Sequence, residues 1–329
     1  MNPSHHQHSR RDMIVRLVKT GLLTAITGAA GWRLYDGNGP SAPSAEQTAT
    51  ILPSFSIDTM TPRVAIVHGR NREKTVGLGI KALGGIEAFV KKGERVLLKV
   101  NAAFATPPAL SATTHPDLVA VLARLCLHAG AAEVRVTDNP INDPATCFEL
   151  TGIGPAARAA GARVVLPRPS FFRPVSVERG RLLQNWPVFM NALDGIDKVI
   201  GVAPVKDHHR SGASMTMKNW YGLLGGRRNI FHQGIHDIIY ELALMMRPSL
   251  VVLDGTTTMF ANGPTGGALD DLKQTDTMIV GTDPVAVDTV GARLLEKTIE
   301  ALPYLTKAEA AGLGTTDLNA LGPVVLSQG

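Results

Sequence analysis

Between Val202 and Gly226 the chain reads VAPVKDHHRSGASMTMKNWYGLLGG. Lys206, His208, Lys218 and Asn219 fall in this stretch, with Asp207, His209 and Arg210 beside them. Ammonium groups, an amide and an imidazole are the parts that hold a carboxylate or phosphate and move a proton on it. Lys218 and Asn219 lie near the start of a helix-like run, TMKNWYGLL, whose first N–H groups add to the pull on an anion. Polar residues also recur just past apolar runs: Lys99 and Asn101 after VLL, Asp138 and Asn139 after VRVT, Asp254 after LVVL. A lysine at the end of a buried strand is costly to desolvate unless an anion pairs with it. Asp283 closes another such run, although it also precedes Pro284 in the position of a helix N-cap. NGPTGG at Asn262–Gly267 reads as a tight loop in which Gly263 brings backbone close to a ligand. Arg227 and Arg228 read as a solvated pair.

Other chemistries find less support. HQGIH places His232 and His236 four apart, but it lacks the glutamate of a zinc-protease helix and contains Gly234. The neighbouring lysines repel cations, which argues against a metal. Cys126 and Cys147 are two thiols, too few for an iron–sulfur or zinc site built from four cysteines. Cys126, within LVAVLARLCLHAG, reads as one residue of a buried helix face. The glycines of Gly77–Gly85 lie at the wrong spacing for a nucleotide loop, and there is no Walker loop or Gly-x-Ser-x-Gly elbow. No cofactor is therefore named.

The elements that must position these residues alternate. RVAIVHG, ERVLLKVN, EVRVTDN, RVVLP, DKVIGVAPV, SLVVLDG and DTMIVGTD read as strands. EKTVGLGIKALGG, HPDLVAVLARLCLHAGA, GPAARAAGA, IHDIIYELALMM and PVAVDTVGARLLEKT read as helices between them. Such alternation predicts an α/β fold of three layers, a largely parallel sheet flanked by helices, with a crevice beyond the carboxyl ends of the strands. Around residues 168–180, RPSFFRPVSVERG is the place where two lobes would part. With 44% hydrophobic and 19% charged residues in 329, the chain can bury a sizeable core.

The first 36 residues stand apart. They carry five of the basic residues against Asp12 and Asp36, which leaves only about +2 of the +5 net charge for the remainder. With no dense basic stripe interleaved with aromatics, nucleic acid is not an expected partner. HSRRDMIVRLVKTGLLTAITGAAGW resembles a twin-arginine export signal: Arg10-Arg11, then Met13 and Ile14, then a modest apolar run too short to span a bilayer. Ala30 and the APSA run Ala42–Ala45 offer cleavage points outside an Ala-x-Ala frame; left uncut, the leader would serve as an anchor. Residues 37–60, rich in Pro, Ser, Ala and Thr, read as a linker, and residues 61–329 as the α/β domain. The twin-arginine route implies the export machinery as a partner and an exported, periplasmic location.

Five stretches occur in order: VLLKVN, TTHPDLVAVLARLCLHAGAAEVRVTDNP, VAPVKDHHRSGASMTMKNWYG, VVLDGTTTMFANGPTGG and VGTDPVAVDTVGARLL. Together they resemble the family catalogued as domain of unknown function 362, over roughly residues 63–315. The family's Lys-Pro-Asn corresponds to Lys99 and Asn101, with Val100 where proline is usual. Its Lys-x-His falls on Lys206 and His208, and its Thr-x-x-x-Lys-Asn on Ser214, Lys218 and Asn219. Its Asp-Pro-x-Ala-x-Asp falls on Asp283, Pro284, Ala286 and Asp288. Some relatives carry a ferredoxin-like cysteine-rich segment, and this chain has none. More loosely, the layout resembles that of lactate-racemase-type proteins, whose two α/β domains hold a substrate between them.

The residues and the resemblance lead to one expectation: an exported enzyme acting on a small anionic substrate. Lys99, Lys206, Asn101, Asn219, Gly263 and Asp283 would bind it. His208 would move a proton, with Lys218, Asp254 and Asp288 as catalytic partners. The alternative expectation is a periplasmic accessory protein that binds a ligand or cofactor for a redox or assembly system without turning it over.

Overall fold

The strands first read as short apolar runs assemble into one twisted sheet. A computed structural model describes residues 10–33, 50–57 and 63–329. Residues 1–9 and 34–36 of the expected leader and most of the expected linker, with the cleavage run Ala42–Ala45, lie outside the described residues.

Helix α1 spans Arg10–Arg33 and belongs to a unit of its own, Met1–Ala42. Among the described residues no helix is long and apolar enough to cross a membrane.

The second unit, Pro43–Gly329, runs in the order β1 (Val64–His68), α2 (Arg72–Ala82), β2 (Arg95–Lys99), α3 (Pro116–His128) and β3 (Glu133–Thr137). There follow α4 (Pro144–Leu150), α5 (Ile153–Ala159), β4 (Arg163–Val165), β5 (Phe172–Val175) and β6 (Trp186–Phe189). Next come β7 (Lys198–His208), β8 (Gly212–Ser214), α6 (Thr216–Asn219), α7 (Ile235–Met245) and β9 (Leu250–Met259). The chain closes with β10 (Leu272–Gly281), α8 (Pro284–Leu294), α9 (Pro303–Ala310), α10 (Leu318–Leu321) and β11 (Val324–Ser327).

The nine-stranded sheet has the order β11-β1-β10-β9-β7-β2-β3-β4, with β8 paired to the end of β7. β9, β7, β2, β3 and β4 are parallel; β10 runs antiparallel to both β9 and β1. Successive side chains of a strand face opposite ways, and the core divides accordingly. Val96, Leu98, Ile200, Val202 and Val252 pack on the face covered by α2, α3 and α5. Leu97, Val199, Ala203, Val251 and Leu253 pack on the face covered by α7, α8 and α9. This is the three-layer α/β arrangement that the alternation predicts. Cys126 is fully buried on α3, and burial pushes its thiol up to about 12.

Packing continues across two of the expected boundaries. The segment 168–180 forms a 3-10 turn and β5, and its Val175 and Val177 share a core with Leu253 and Ile279 of the main sheet. That continuous core joins what the sequence divides into lobes. Residues 50–57 also pack with the domain: Thr50 bridges Val175, Phe55 is buried, and its N–H bonds Arg247 O at 2.9 Å.

Candidate functional site

Among the described residues β7 is the longest strand, and its last seven residues, 202–208, reach beyond the end of β2, where Lys99 is level with Gly201. The overhang is held by β8, which pairs Lys206 with Ser214 and His208 with Gly212. The strand that reads from sequence as ending at Val205 therefore runs on to His208. Its short hairpin partner β8 takes up the pairing that β2, already ended, does not supply, while β9 still pairs with Lys206 through Met259. A cavity of about 640 Å³ opens beside the overhang, beyond the carboxyl ends of β2 and β3. That is the location expected of ligand sites in open α/β sheets, and the volume suits a small molecule. Asn101, Lys206, His208, Lys218 and Asn219, all singled out from sequence, line it together.

Lys206 is 1% exposed, yet no carboxylate pairs with it among the described residues. Its Nζ donates to Ala112 O at 2.5 Å and sits 5.2 Å from the centre of the Phe104 ring. Burial, and then the charge of Lys218, bring its pKa down to about 7. Among the described residues Lys218 also lacks a carboxylate partner, and it lies 5.4 Å over the Tyr221 ring; burial and Arg228 bring it down to about 8. His208 is 3% exposed, and its Nδ1 accepts the backbone N–H groups of Arg210 at 3.2 Å and Ser211 at 3.3 Å. The proton of the neutral ring is thereby placed on Nε2. Burial first, then Lys218, lower its pKa to about 2. Its ring stacks on His209 at 5.1 Å and on His232 at 6.1 Å. His208 is therefore a neutral Nε2–H donor, a different role from the proton carrier expected of it. Asn101 Oδ1 is buried without a hydrogen-bond partner.

Beneath the cavity lies a closed polar network. Lys99 Nζ sits 2.8 Å from Asp138 Oδ1 and donates to Val100 O at 2.7 Å and Asn219 O at 2.9 Å. Asp138 Oδ2 accepts Ala102 N–H at 2.7 Å, and Oδ1 accepts Asn139 N–H at 2.9 Å. Asn219 Nδ2 donates to Lys99 O and Val202 O at 3.1 and 3.3 Å. Lys99, expected to bind substrate, is instead consumed by Asp138 and braces Asn219 from below. Gly222 is required at this point, because a Cβ would lie 1.9 Å from Asp138 Oδ1.

Four other expected site residues act elsewhere. Asp254 pairs with Arg72 at 2.7 Å and accepts Thr256 N–H at 2.9 Å, outside the cavity lining. Asp283 caps α8 through Ala286 N–H at 3.0 Å and accepts Thr315 N–H at 3.2 Å, so the capping alternative holds. Asp288, fully buried on α8, accepts Thr216 N–H at 2.9 Å, Met217 N–H at 3.0 Å and the Thr216 hydroxyl. It fastens the helix that carries Lys218 rather than facing a ligand. Gly263 makes the predicted close approach, but to protein: a Cβ there would meet Asp207 O at 1.9 Å. Pro264 beside it does line the cavity.

Sequence reasoning missed Phe104, Tyr221, Arg228 and His232, all of them in the lining. Arg228 is not a solvated residue. Its guanidinium donates to Asn139 O at 2.8 Å, Pro140 O at 3.1 Å, and Tyr221 O and Leu224 O at 3.2 Å each. The Tyr221 hydroxyl donates to Arg228 O and lies 3.2 Å from His232 Nδ1. Among the described residues no three His, Cys, Asp or Glu side chains are grouped to hold a metal ion.

Residues 96–293 match the family described as Domain of unknown function (DUF362). The chain belongs to that family. The match begins in β2 and ends in α8, so it covers every residue that lines the cavity. A thylakoid-associated protein of Synechocystis is 26% identical over 245 residues, 72% of this chain and 74% of its own. Among solved structures, the lactate racemase apoprotein of Thermoanaerobacterium thermosaccharolyticum aligns at 11% identity and a TM-score of 0.39. A Thermotoga maritima protein aligns at 12% and 0.34. These alignments cover 77% and 72% of this chain, and 60% and 59% of those two structures.

Proposed function

We propose that this DUF362 chain is an enzyme that binds a small molecule bearing a carboxylate or phosphate in the cavity beyond β7. The reading is carried by one observation: Lys206 and Lys218 line the same cavity, and among the described residues neither has a carboxylate partner. Unpaired ammonium groups out of bulk water are costly, and an anionic ligand offsets that cost. Asp138, the acid in the lining, is already held by Lys99 and the backbone. Lys218 takes the anionic group, His208 Nε2–H donates to a ligand oxygen, and Asn101 Oδ1 is free to accept from a ligand hydroxyl or amine. Lys206, whose ammonium and amine forms are balanced near neutrality, suits a proton transfer or a nucleophilic step.

We place the protein outside the cytoplasm, delivered by the twin-arginine machinery. The support is the Arg10-Arg11 pair ahead of a modest apolar run.

The test is native mass spectrometry of the full chain purified from the cell envelope. A discrete extra mass that is lost in Lys218→Ala identifies the anionic occupant. An occupant that leaves chemically unchanged in every turnover assay supports the accessory role, in which the same crevice binds without reacting. A bare mass, with no uptake of added phosphate or carboxylates, overturns the anion site.

A further inference from the structure

Lys99 and Lys206 are both fully buried lysines at the carboxyl end of the sheet, and they differ in what surrounds their nitrogens. The Nζ of Lys99 has Asp138 at 2.8 Å and two carbonyls within 2.9 Å, so its bonding is complete. The Nζ of Lys206 has one carbonyl, Ala112 O, and an aromatic ring; the rest of its surroundings is the cavity. A structural lysine would be matched by an acid. Lys218, the second lysine of the lining, is less deeply buried than Lys206 and is lowered less, to about 8 rather than about 7, which suits it to grip an anion. Lys206 is instead almost wholly shielded from bulk solvent, on a strand at the edge of the cavity and within electrostatic reach of a second cation, Lys218. Those are the two conditions that turn a lysine into an amine nucleophile.

We infer that Lys206 forms an imine with the carbonyl carbon of a small aldehyde or ketone that carries a carboxylate or phosphate. This rests on the proposed anion site and names its substrate class. Lys218 holds the anionic group and so presents the carbonyl to Lys206. The Lys206 nitrogen lone pair attacks the carbonyl carbon, the C–N bond forms, and the carbonyl electron pair moves onto oxygen. His208 lies two residues along the same strand, so its side chain projects to the same face. Its Nε2–H donates to that oxygen as charge grows on it. The C–O bond then breaks, and the oxygen leaves as water with the two hydrogens that the amine gives up. No oxidant or reductant is consumed. The Lys206 pKa near 7 leaves free amine available at neutral pH.

The test uses the full chain at pH 7 with pyruvate and, separately, glycolaldehyde phosphate, each with sodium cyanoborohydride. This reagent reduces an imine to a secondary amine that survives digestion. The expected result is a single adduct mapped to Lys206, absent in Lys206→Met and slowed about tenfold or more in Lys218→Ala, since one charge-assisted contact is worth at least that factor. Inorganic phosphate should protect. Binding of either probe or of inorganic phosphate, measured by calorimetry, separates the two readings. Binding without an adduct at Lys206 overturns the imine and leaves the anion site. Adducts at Lys218, or scattered over surface lysines, also overturn it. No binding of any probe overturns both. Because the map is read on the wild-type chain, a misfolded variant does not spoil it.

Discussion

At the residue scale, the cavity sets ligand binding against stability. Lys206 in the folded chain has a pKa of about 7, against 10.5 for the free side chain. Between those values the unfolded chain binds more protons, so this group makes stability rise with pH; below about 7 its cost is present in full. Lys206→Met removes a buried charge without a partner. It is expected to stabilise the ligand-free protein by about 1–3 kcal/mol, seen as a higher Tm, while weakening stabilisation by added phosphate, which Lys218 still holds. Ligand binding has the opposite pH sign. An anion prefers the ammonium forms of Lys206 and Lys218, so its affinity should be highest below pH 7. It should then fall as pH rises through about 7 for the first lysine and about 8 for the second. Calorimetry from pH 6 to pH 9 reads this directly; a flat profile would mean that neither lysine contacts the anion. Lys206 and Lys218 were legible because lysine is out of place beside apolar runs. Which lysine is free was not legible, because Asp138, the partner of Lys99, arrives from a different strand.

At the element scale, α6 is four residues long and cannot persist by its own hydrogen bonds. It is held at its start by Asp288 and at its end by Lys99, whose Nζ donates to Asn219 O. Asp288→Asn keeps the size but puts an N–H group against an N–H group. It is expected to cost about 1–3 kcal/mol of stability and to weaken phosphate binding, although residue 288 does not touch the cavity. It should also change a pH slope. Burial raises the Asp288 carboxyl to about 7 from its ordinary 3.8. Between those values the folded chain binds more protons than the unfolded chain, so this group makes stability fall as pH rises, and the asparagine variant should lose that fall. Denaturant unfolding at pH 4.5 and pH 7 measures both effects; unchanged phosphate affinity would separate Asp288 from the placement of Lys218. The legible and illegible roles divide by reach. The Asp283 cap lies three residues from its partner N–H and could be read locally. The Asp254–Arg72 pair is 182 residues apart, and the Asp288–Thr216 pair 72 apart. Only the folded chain brings those together.

At the scale of the whole molecule, strand–helix alternation was enough to foresee the three layers, because each apolar run had one face or two to bury. It did not foresee that β10 turns back between β1 and β9, or that residues 50–57 pack with the domain. A strand buried on both faces reads the same in either direction, and the apolar residues of 50–57 (Ile51, Leu52, Phe55 and Ile57) are set among Thr, Pro and Ser, which made the segment read as linker. The leader can be tested separately: α1 belongs to its own unit, and among the described residues the cavity lining falls within 101–264. Export and ligand binding should therefore come apart. Replacing both Arg10 and Arg11 by lysine keeps the charge but removes the planar guanidinium pair that a twin-arginine receptor reads. The expected outcome is full-length protein retained in the cytoplasm, which binds phosphate with the affinity of the exported form. Fractionation, followed by calorimetry on the retained protein, checks both halves. Continued export of the double variant would remove the twin-arginine assignment. Loss of phosphate binding in correctly folded protein would show instead that the leader takes part in the site.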